Sequence, residues 1–347
     1  MSGAPSGAFG SGVGLALAAA VAFGVTTPVI ARYGAGALGT AALLYTGAFV
    51  AALLLRLVTA PSGAPVAKQH VVRLLVAGLV GAALAPTLLA WGLRRTGAVT
   101  GSLLLCGEPL FTALLAWRVF GEPTGRRFVA ALLLMIVASA LLVRGPLHLE
   151  GGLGMLALVA ATLCWAIDNI VSRGLGEQDP LTLVWMKGLI GAVITGALAL
   201  ATHDASPTPT AVFALLACGA VGYGLSLRLY LQAQRRIGAG RTGSVFAVAP
   251  FVGASLALAL GEQHLGLRTL GAALLFGVAV YLHLTERHHH AHRHDALFHE
   301  HPHSHDDGHH DHVHVPAVSG THSHPHHHDA KVHDHDHAPD LHHVHRH

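Results

Sequence analysis

GAVTGSLLLCGEPLFTALLAWRVFGE, running from Gly97 to Glu122, decides the fold. From Ala98 to Val119 it holds about 20 residues of mostly apolar helix former, enough to cross a hydrocarbon core ~30 Å thick. Glu108 and Pro109 stand halfway along it. A carboxylate near the bilayer centre costs on the order of 2.5–3.5 kcal/mol on insertion scales, and a mid-helix proline releases a backbone carbonyl. Both are tolerated inside a helical bundle and not against lipid. The stretch therefore predicts a membrane protein with a polar interior.

The same pattern returns from Gly238 to Glu262, GAGRTGSVFAVAPFVGASLALALGE, with its Gly-Ser opening, central proline and closing Gly-Glu. Laid against itself at an offset of 141, the chain puts Arg32 on Arg173, Val80-Gly81 on Val221-Gly222, Arg94-Arg95 on Arg235-Arg236 and Pro109 on Pro250. The chain is two copies of one unit, and internal duplication is a common way to build a transporter.

Glu108-Pro109, Trp117 and Gly121-Glu122, followed by an Arg-led apolar helix, resemble the EamA module of the drug/metabolite transporter superfamily, and the doubled unit resembles its ten-helix members. The resemblance covers residues 11–285. WAIDN at 165–169, the Lys187-Gly188-Leu189 run and the HLTERHHH junction further resemble a branch with histidine-rich tails, which by itself implies no substrate.

Of the 347 residues, 52% are hydrophobic and 11% charged, against roughly 25% charged in soluble domains. Before the tail there are 17 Lys/Arg and 8 Asp/Glu; from Glu286 onward there are 4 and 10. The basic residues sit singly or in pairs at helix ends, which speaks for membrane orientation and against nucleic acid. Cys106, Cys164 and Cys218 fall in apolar helices at wide spacings and read as packed thiols. The N-terminal apolar run lacks a basic n-region and aligns with the helix at 152–173, so it reads as a retained first helix.

Ten apolar spans follow, near 11–31, 37–57, 71–92, 98–119, 126–144, 152–173, 181–201, 210–233, 242–261 and 266–284. They group into a short N-terminus (1–10), a first five-helix repeat (11–144), a linker (145–151), a second repeat (152–285) and a tail (286–347). Gly78/Ala82, Gly188/Ala192 and Gly253/Ala257 place small residues four apart for close helix packing. With the N-terminus in the cytoplasm, the connections inside carry ten Arg or Lys and those outside five. Both termini are therefore expected in the cytoplasm, in the inner membrane of the cell. Five helices per unit is odd, so the second unit enters the membrane upside down, the geometry that permits alternating access.

Candidate translocation-path residues come from depth. Glu108 lies ~15 Å into the fourth span, with Ala249 as its counterpart, and reads as a proton- or cation-linked carboxylate beside the Pro109 break, repeated at Pro250. The bland alternative is a glutamate satisfied by neighbouring hydroxyls or freed backbone. Asp168, Lys187 and Arg228 share a level in the cytoplasmic third, which pairs Asp168 with Lys187 and leaves Arg228 for a substrate anion or for snorkelling. Asn169 can donate into the same network. The first-unit equivalents are Thr27, Thr46 and Thr87, a hydroxyl cluster towards the outside, unless each merely bonds back to its own helix. Tyr45, Trp91, Trp165, Trp185 and Tyr230 are cavity candidates for which interfacial anchoring is the stronger reading.

Of the 30 histidines, 25 follow Arg287. The tail has almost no core-forming residues and is expected to be disordered. His288, His289, His290, His292, His294, His301, His303, His305, His309, His310, His312, His314, His322, His324, His326, His327, His328, His333, His335 and His337, interleaved with Asp, can offer several imidazoles to Zn²⁺, Ni²⁺, Co²⁺ or Cu²⁺. A pH-responsive polyelectrolyte is the alternative, since histidine titrates near pH 6.5.

The chain thus reads as a non-enzymatic secondary transporter of a small solute, proton- or ion-coupled, needing no cofactor, with a metal-binding regulatory tail. The alternatives are a transition-metal transporter loaded by the tail and a membrane-anchored metal-binding or sensing protein. Substrate, coupling ion and oligomeric state are not encoded in any motif.

Overall fold

The computed structural model describes residues 6–59, 66–120, 125–142, 149–175, 178–237, 239–261, 266–285, 291–294, 297–303, 322–328 and 331–334. Ten helical runs make up one compact unit. They are α1 (Ser6–Gly24, resuming as Thr26–Tyr33), α2 (Ala37–Val58), α3 (Val71–Ala77, Gly78–Leu84, Ala85–Thr96), α4 (Ala98–Leu104, Leu105–Gly107, Glu108–Phe120) and α5 (Arg126–Leu142) in the first repeat. The second holds α6 (Leu149–Ser172), α7 (Pro180–Ala201), α8 (Pro209–Cys218, Gly219–Leu225, Ser226–Ile237), α9 (Ala239–Phe246, Ala249–Ala259) and α10 (Leu267–Leu284). Seven of these runs are long and apolar enough to cross a membrane, and α5, α9 and α10 are shorter. The chain is a polytopic, all-helical membrane protein in this unit.

The helices are interrupted where the sequence reads as continuous, and the interruptions recur with the repeat. In α3, Gly78–Leu84 is π-helical; in α8, Gly219–Leu225 is too, 141 residues on. In α4 a 3₁₀ turn at Leu105–Gly107 precedes Glu108, and α9 breaks before Ala249. Proline explains the α4 turn. Pro109 has no N–H for the carbonyl of Leu105, four residues back, and the N–H of Glu108 takes that carbonyl over in a tighter bond. Between α3 and α4 the chain reverses at Gly97, whose φ of 81° suits glycine. Asp179 caps α7 by accepting from Thr182 N at 2.9 Å, with Pro180 at the first helical position.

Exchanging the two repeats leaves the packing pattern unchanged. α1 packs on α8 as α6 packs on α3, and α2 packs on α8 as α7 packs on α3, while α2 pairs with α7, α4 with α9 and α5 with α10. Polar ties at helix ends give the directions. Arg56, near the end of α2, meets Asp179 at the start of α7 at 3.2 Å. Asp204, just past the end of α7, accepts from Gly39 N at the start of α2 at 2.9 Å. Arg127 at the start of α5 donates to the carbonyl of Thr285, just past the end of α10. Equivalent helices therefore run antiparallel, and the repeats are inverted. Glycines allow the close crossings: a Cβ at Gly188 would press on the Phe49 backbone, one at Gly78 on Ile190, and one at Gly253 on Ser102.

Of the tail expected to be disordered, 22 residues are described. β1 (Ala291–His294) pairs antiparallel with β4 (Lys331–Asp334), and β2 (Leu297–His303) with β3 (His322–His328). Alternating His-x-His has the period of two that suits a strand. The rest of the expected disordered tail, with His288, His289, His290, His305, His309, His310, His312, His314, His335 and His337, lies outside the described residues.

Candidate functional site

Polar side chains from four helices meet in the middle of the bundle. α6 contributes most, because Trp165, Asp168, Asn169 and Ser172 fall at spacings of three and four and share one face. Lys187 on α7 places Nζ 2.7 and 2.5 Å from the two oxygens of Asp168, and Ser172 Oγ donates to Asp168 Oδ1 at 2.9 Å. Both side chains are largely buried, so the pair expected from depth is present and closely made. Glu108 on α4 is bound differently. Asn169 Nδ2 donates to Glu108 Oε1 at 3.0 Å and lies 3.4 Å from Thr112 Oγ1. Its donor is neutral, and both Glu108 and Asn169 keep accessible surface although Cys106, Gly107 and Leu110 around the break are buried.

The π-helical segment of α3 joins this centre. In such a segment backbone carbonyls fall out of the regular ladder. That of Gly81 accepts from Tyr45 Oη at 2.9 Å and from Trp165 Nε1 at 3.1 Å. A Cβ on Gly81 would strike the Asp168 carboxylate, so glycine is what lets α3 and α6 close on the ion pair. Next to it lies an aromatic cluster drawn from both repeats. Phe23 meets Trp165, Tyr223 and Phe246 at centroid distances of 6.0, 5.7 and 5.6 Å. Tyr45 meets Tyr223 at 5.3 Å, and Tyr230 meets Phe246 at 4.9 Å.

Not every sequence candidate joins. Arg228 is half-buried on α8, two residues before Tyr230. Thr87 donates to its own helix at Ala83 O, and among the described residues no hydrogen bond links Thr27, Thr46 and Thr87 into a cluster. Pro250 marks the α9 break and bears no polar group. Tyr45 and Trp165 are core residues and not interfacial anchors, Tyr230 is half-buried against Phe246, and Trp91 stacks under Arg95, 3.5 Å from ring to guanidinium, at the end of α3. Sequence reading passed over Phe23, Thr112, Ser172, Tyr223 and Phe246. Thr112 and Ser172 were accessible from helical spacing, each four residues beyond a carboxylate.

The three cysteines are buried and free, and among the described residues no group of three His, Cys, Asp or Glu side chains is arranged to hold a metal ion.

Comparison with known proteins gives this architecture a family. The chain is 27% identical over 229 residues to an "uncharacterized transporter" of Methanothermobacter thermautotrophicus, covering 63% of this chain and 66% of that one. It is 26% identical over 222 residues to an uncharacterized transporter of Bacillus subtilis, covering 60% and 72%. A chloroplastic WAT1-related protein of Arabidopsis thaliana is 27% identical over 209 residues, with 56% and 50% covered. This chain thus spans between half and about three quarters of those relatives' lengths. A solved crystal structure shares the fold at a TM-score of 0.55 and 17% identity, over 80% of this chain and 98% of its own. The profile of the EamA-like transporter family matches residues 10–144 and again 152–285. With both repeats matched, the chain belongs to the EamA-like transporter family.

Proposed function

We propose that this protein is a secondary transporter that moves a small solute across the inner membrane by alternating access, with Glu108 as the coupling carboxylate and both termini in the cytoplasm. The observation that carries this reading is the ionisable centre Glu108, Asp168 and Lys187 lodged where two inverted repeats meet. An intramembrane carboxylate is functional by default. Lys187 and Asp168 neutralise each other, so Glu108 is the group left to exchange a proton or another cation. The recurrent breaks at Gly78–Leu84 and Gly219–Leu225 give each repeat a weak point about which its helices can rearrange. The family match supports a transporter rather than an enzyme.

The tail is read as a regulatory metal buffer. Strand register puts His299, His301 and His303 opposite His326, His324 and His322, and His292 opposite His333. Histidines interleaved with Asp along the tail offer many imidazoles within one stretch, the chemistry that binds Zn²⁺, Ni²⁺, Co²⁺ or Cu²⁺. Transport of a transition metal through the core is disfavoured, because among the described residues no group of three His, Cys, Asp or Glu is arranged around Glu108.

The reading is tested by uptake into everted vesicles with and without a pH gradient. Wild-type protein is expected to show gradient-driven accumulation, and Glu108→Gln to lose it. Gradient-driven uptake undiminished in Glu108→Gln would remove Glu108 from the coupling.

A further inference from the structure

A groove of about 310 Å³ runs between α1 and α8, away from the ionisable centre. The two helices close tightly beside it, where a Cβ on Gly222 would strike the Thr26 methyl. Its walls are Ala22, Val25 and Val29 of α1 and Ala214, Ala217 and Val221 of α8, with Tyr33 at one end. Alanine on both walls leaves the space that larger side chains would fill. Val221 is 46% exposed, so the groove opens sideways, toward the bilayer around these helices.

The lining favours an apolar occupant. Thr26 Oγ1 donates to the Phe23 carbonyl at 2.6 Å, and Cys218 Sγ lies 3.9 Å from the Thr26 carbonyl. Apart from the Tyr33 hydroxyl at its end, the groove therefore offers a water-soluble solute nothing to bond. Its dimensions favour a chain over a helix. From Ala22 to Tyr33 the helix rises ~16 Å, which gives the groove a mean section of about 20 Å², whereas a helix is about 10–12 Å across. That length is one leaflet's share of a hydrocarbon core ~30 Å thick.

Charge marks the headgroup end. Arg32, in the last turn of α1, is exposed, with its guanidinium 6.0 Å from the centroid of the Tyr33 ring. Among the described residues Arg32 makes no ion pair, and Asp204 near this end of α1 is held instead by the N–H groups of Gly39 and Ala205. A guanidinium at the membrane surface is suited to a phosphate. A zwitterionic headgroup brings its own cation to compete for that phosphate, so a lipid of net negative charge is preferred.

We propose that this groove is a phospholipid site, holding one acyl chain of an anionic phospholipid between α1 and α8 with the headgroup phosphate at Arg32.

The test is native mass spectrometry of the purified, delipidated full chain, titrated with dioleoyl phosphatidylglycerol, dioleoyl phosphatidylcholine or glycerophosphoglycerol, a headgroup without chains. Phosphatidylglycerol should bind saturably and about fivefold tighter than phosphatidylcholine, the preference that one basic side chain supplies at a membrane surface. The chainless headgroup should not bind at the same concentration. Arg32→Gln should erase the preference and leave phosphatidylcholine affinity unchanged. Ala217→Phe, which fills the groove, should weaken both lipids at least about tenfold. Phe213→Ala and Arg268→Gln, outside the groove, should change neither. If Ala217→Phe does not fold, Ala214→Val decides in its place by the same weakening. Equal affinity for the two lipids, a preference that survives Arg32→Gln, or binding indifferent to the alanine substitutions overturns the proposal. So does a dimer that Ala217→Phe dissolves, which would give the groove to a second copy of the chain.

Discussion

At the scale of single residues, the centre holds one compensated and one uncompensated carboxylate. Neutralising either partner of Asp168–Lys187 strands a largely buried charge, a loss on the order of 3–5 kcal/mol for buried pairs. Asp168→Asn and Lys187→Met should therefore each lower the thermal unfolding midpoint in detergent more than the double substitution does. Losses that add would show that the two side chains act independently. The pair was legible in the sequence because helix length fixes depth, and two opposite charges at one depth seek each other. The aromatic cluster was out of reach: Phe23, Tyr223 and Phe246 are unremarkable in apolar helices until tertiary packing brings the last two within 5.7 Å of Phe23.

At the scale of elements, the π-helical segments decide how α3 and α8 meet their neighbours. Val80-Gly81 and Val221-Gly222 were visible as landmarks of the duplication, but a hydropathy pattern does not distinguish a π-turn from an α-turn, so the broken ladder and the Gly81 carbonyl that takes two side-chain donors were not. A methyl at Gly81 would strike Asp168, and overpacking of this kind costs about 1–3 kcal/mol. Gly81→Ala should lower thermal stability and transport together. Gly14→Ala, where a Cβ meets nothing within 4 Å, should be neutral or mildly stabilising. Equal stability of the two variants would mean that α3 and α6 are free to separate at this point. Removing one donor from the Gly81 carbonyl, by Tyr45→Phe or Trp165→Phe, is expected to cost about 1 kcal/mol in the same measurement, with the second donor retaining the carbonyl.

At the scale of the molecule, the odd number of helices per repeat and the doubled sequence were enough to anticipate inversion, and the ties Arg56–Asp179 and Gly39–Asp204 fix it from opposite ends of one helix pair. The tail has no counterpart after the first repeat, so it should modulate transport and not constitute it. A stop codon after Glu286 is expected to leave inserted, transporting protein with altered sensitivity to Zn²⁺, Ni²⁺ or Co²⁺. Metal binding by the isolated tail should weaken below about pH 6, as protons compete for imidazole. The central claim is that inverted repeats carry a solute past Glu108, and everted-vesicle uptake of a charge-sorted solute panel, wild type against Glu108→Gln, tests it most directly. The account predicts gradient-driven accumulation of at least one solute by the wild type and none by the variant at equal protein in the membrane. Identical uptake by the two, or no uptake by the wild type, would contradict it.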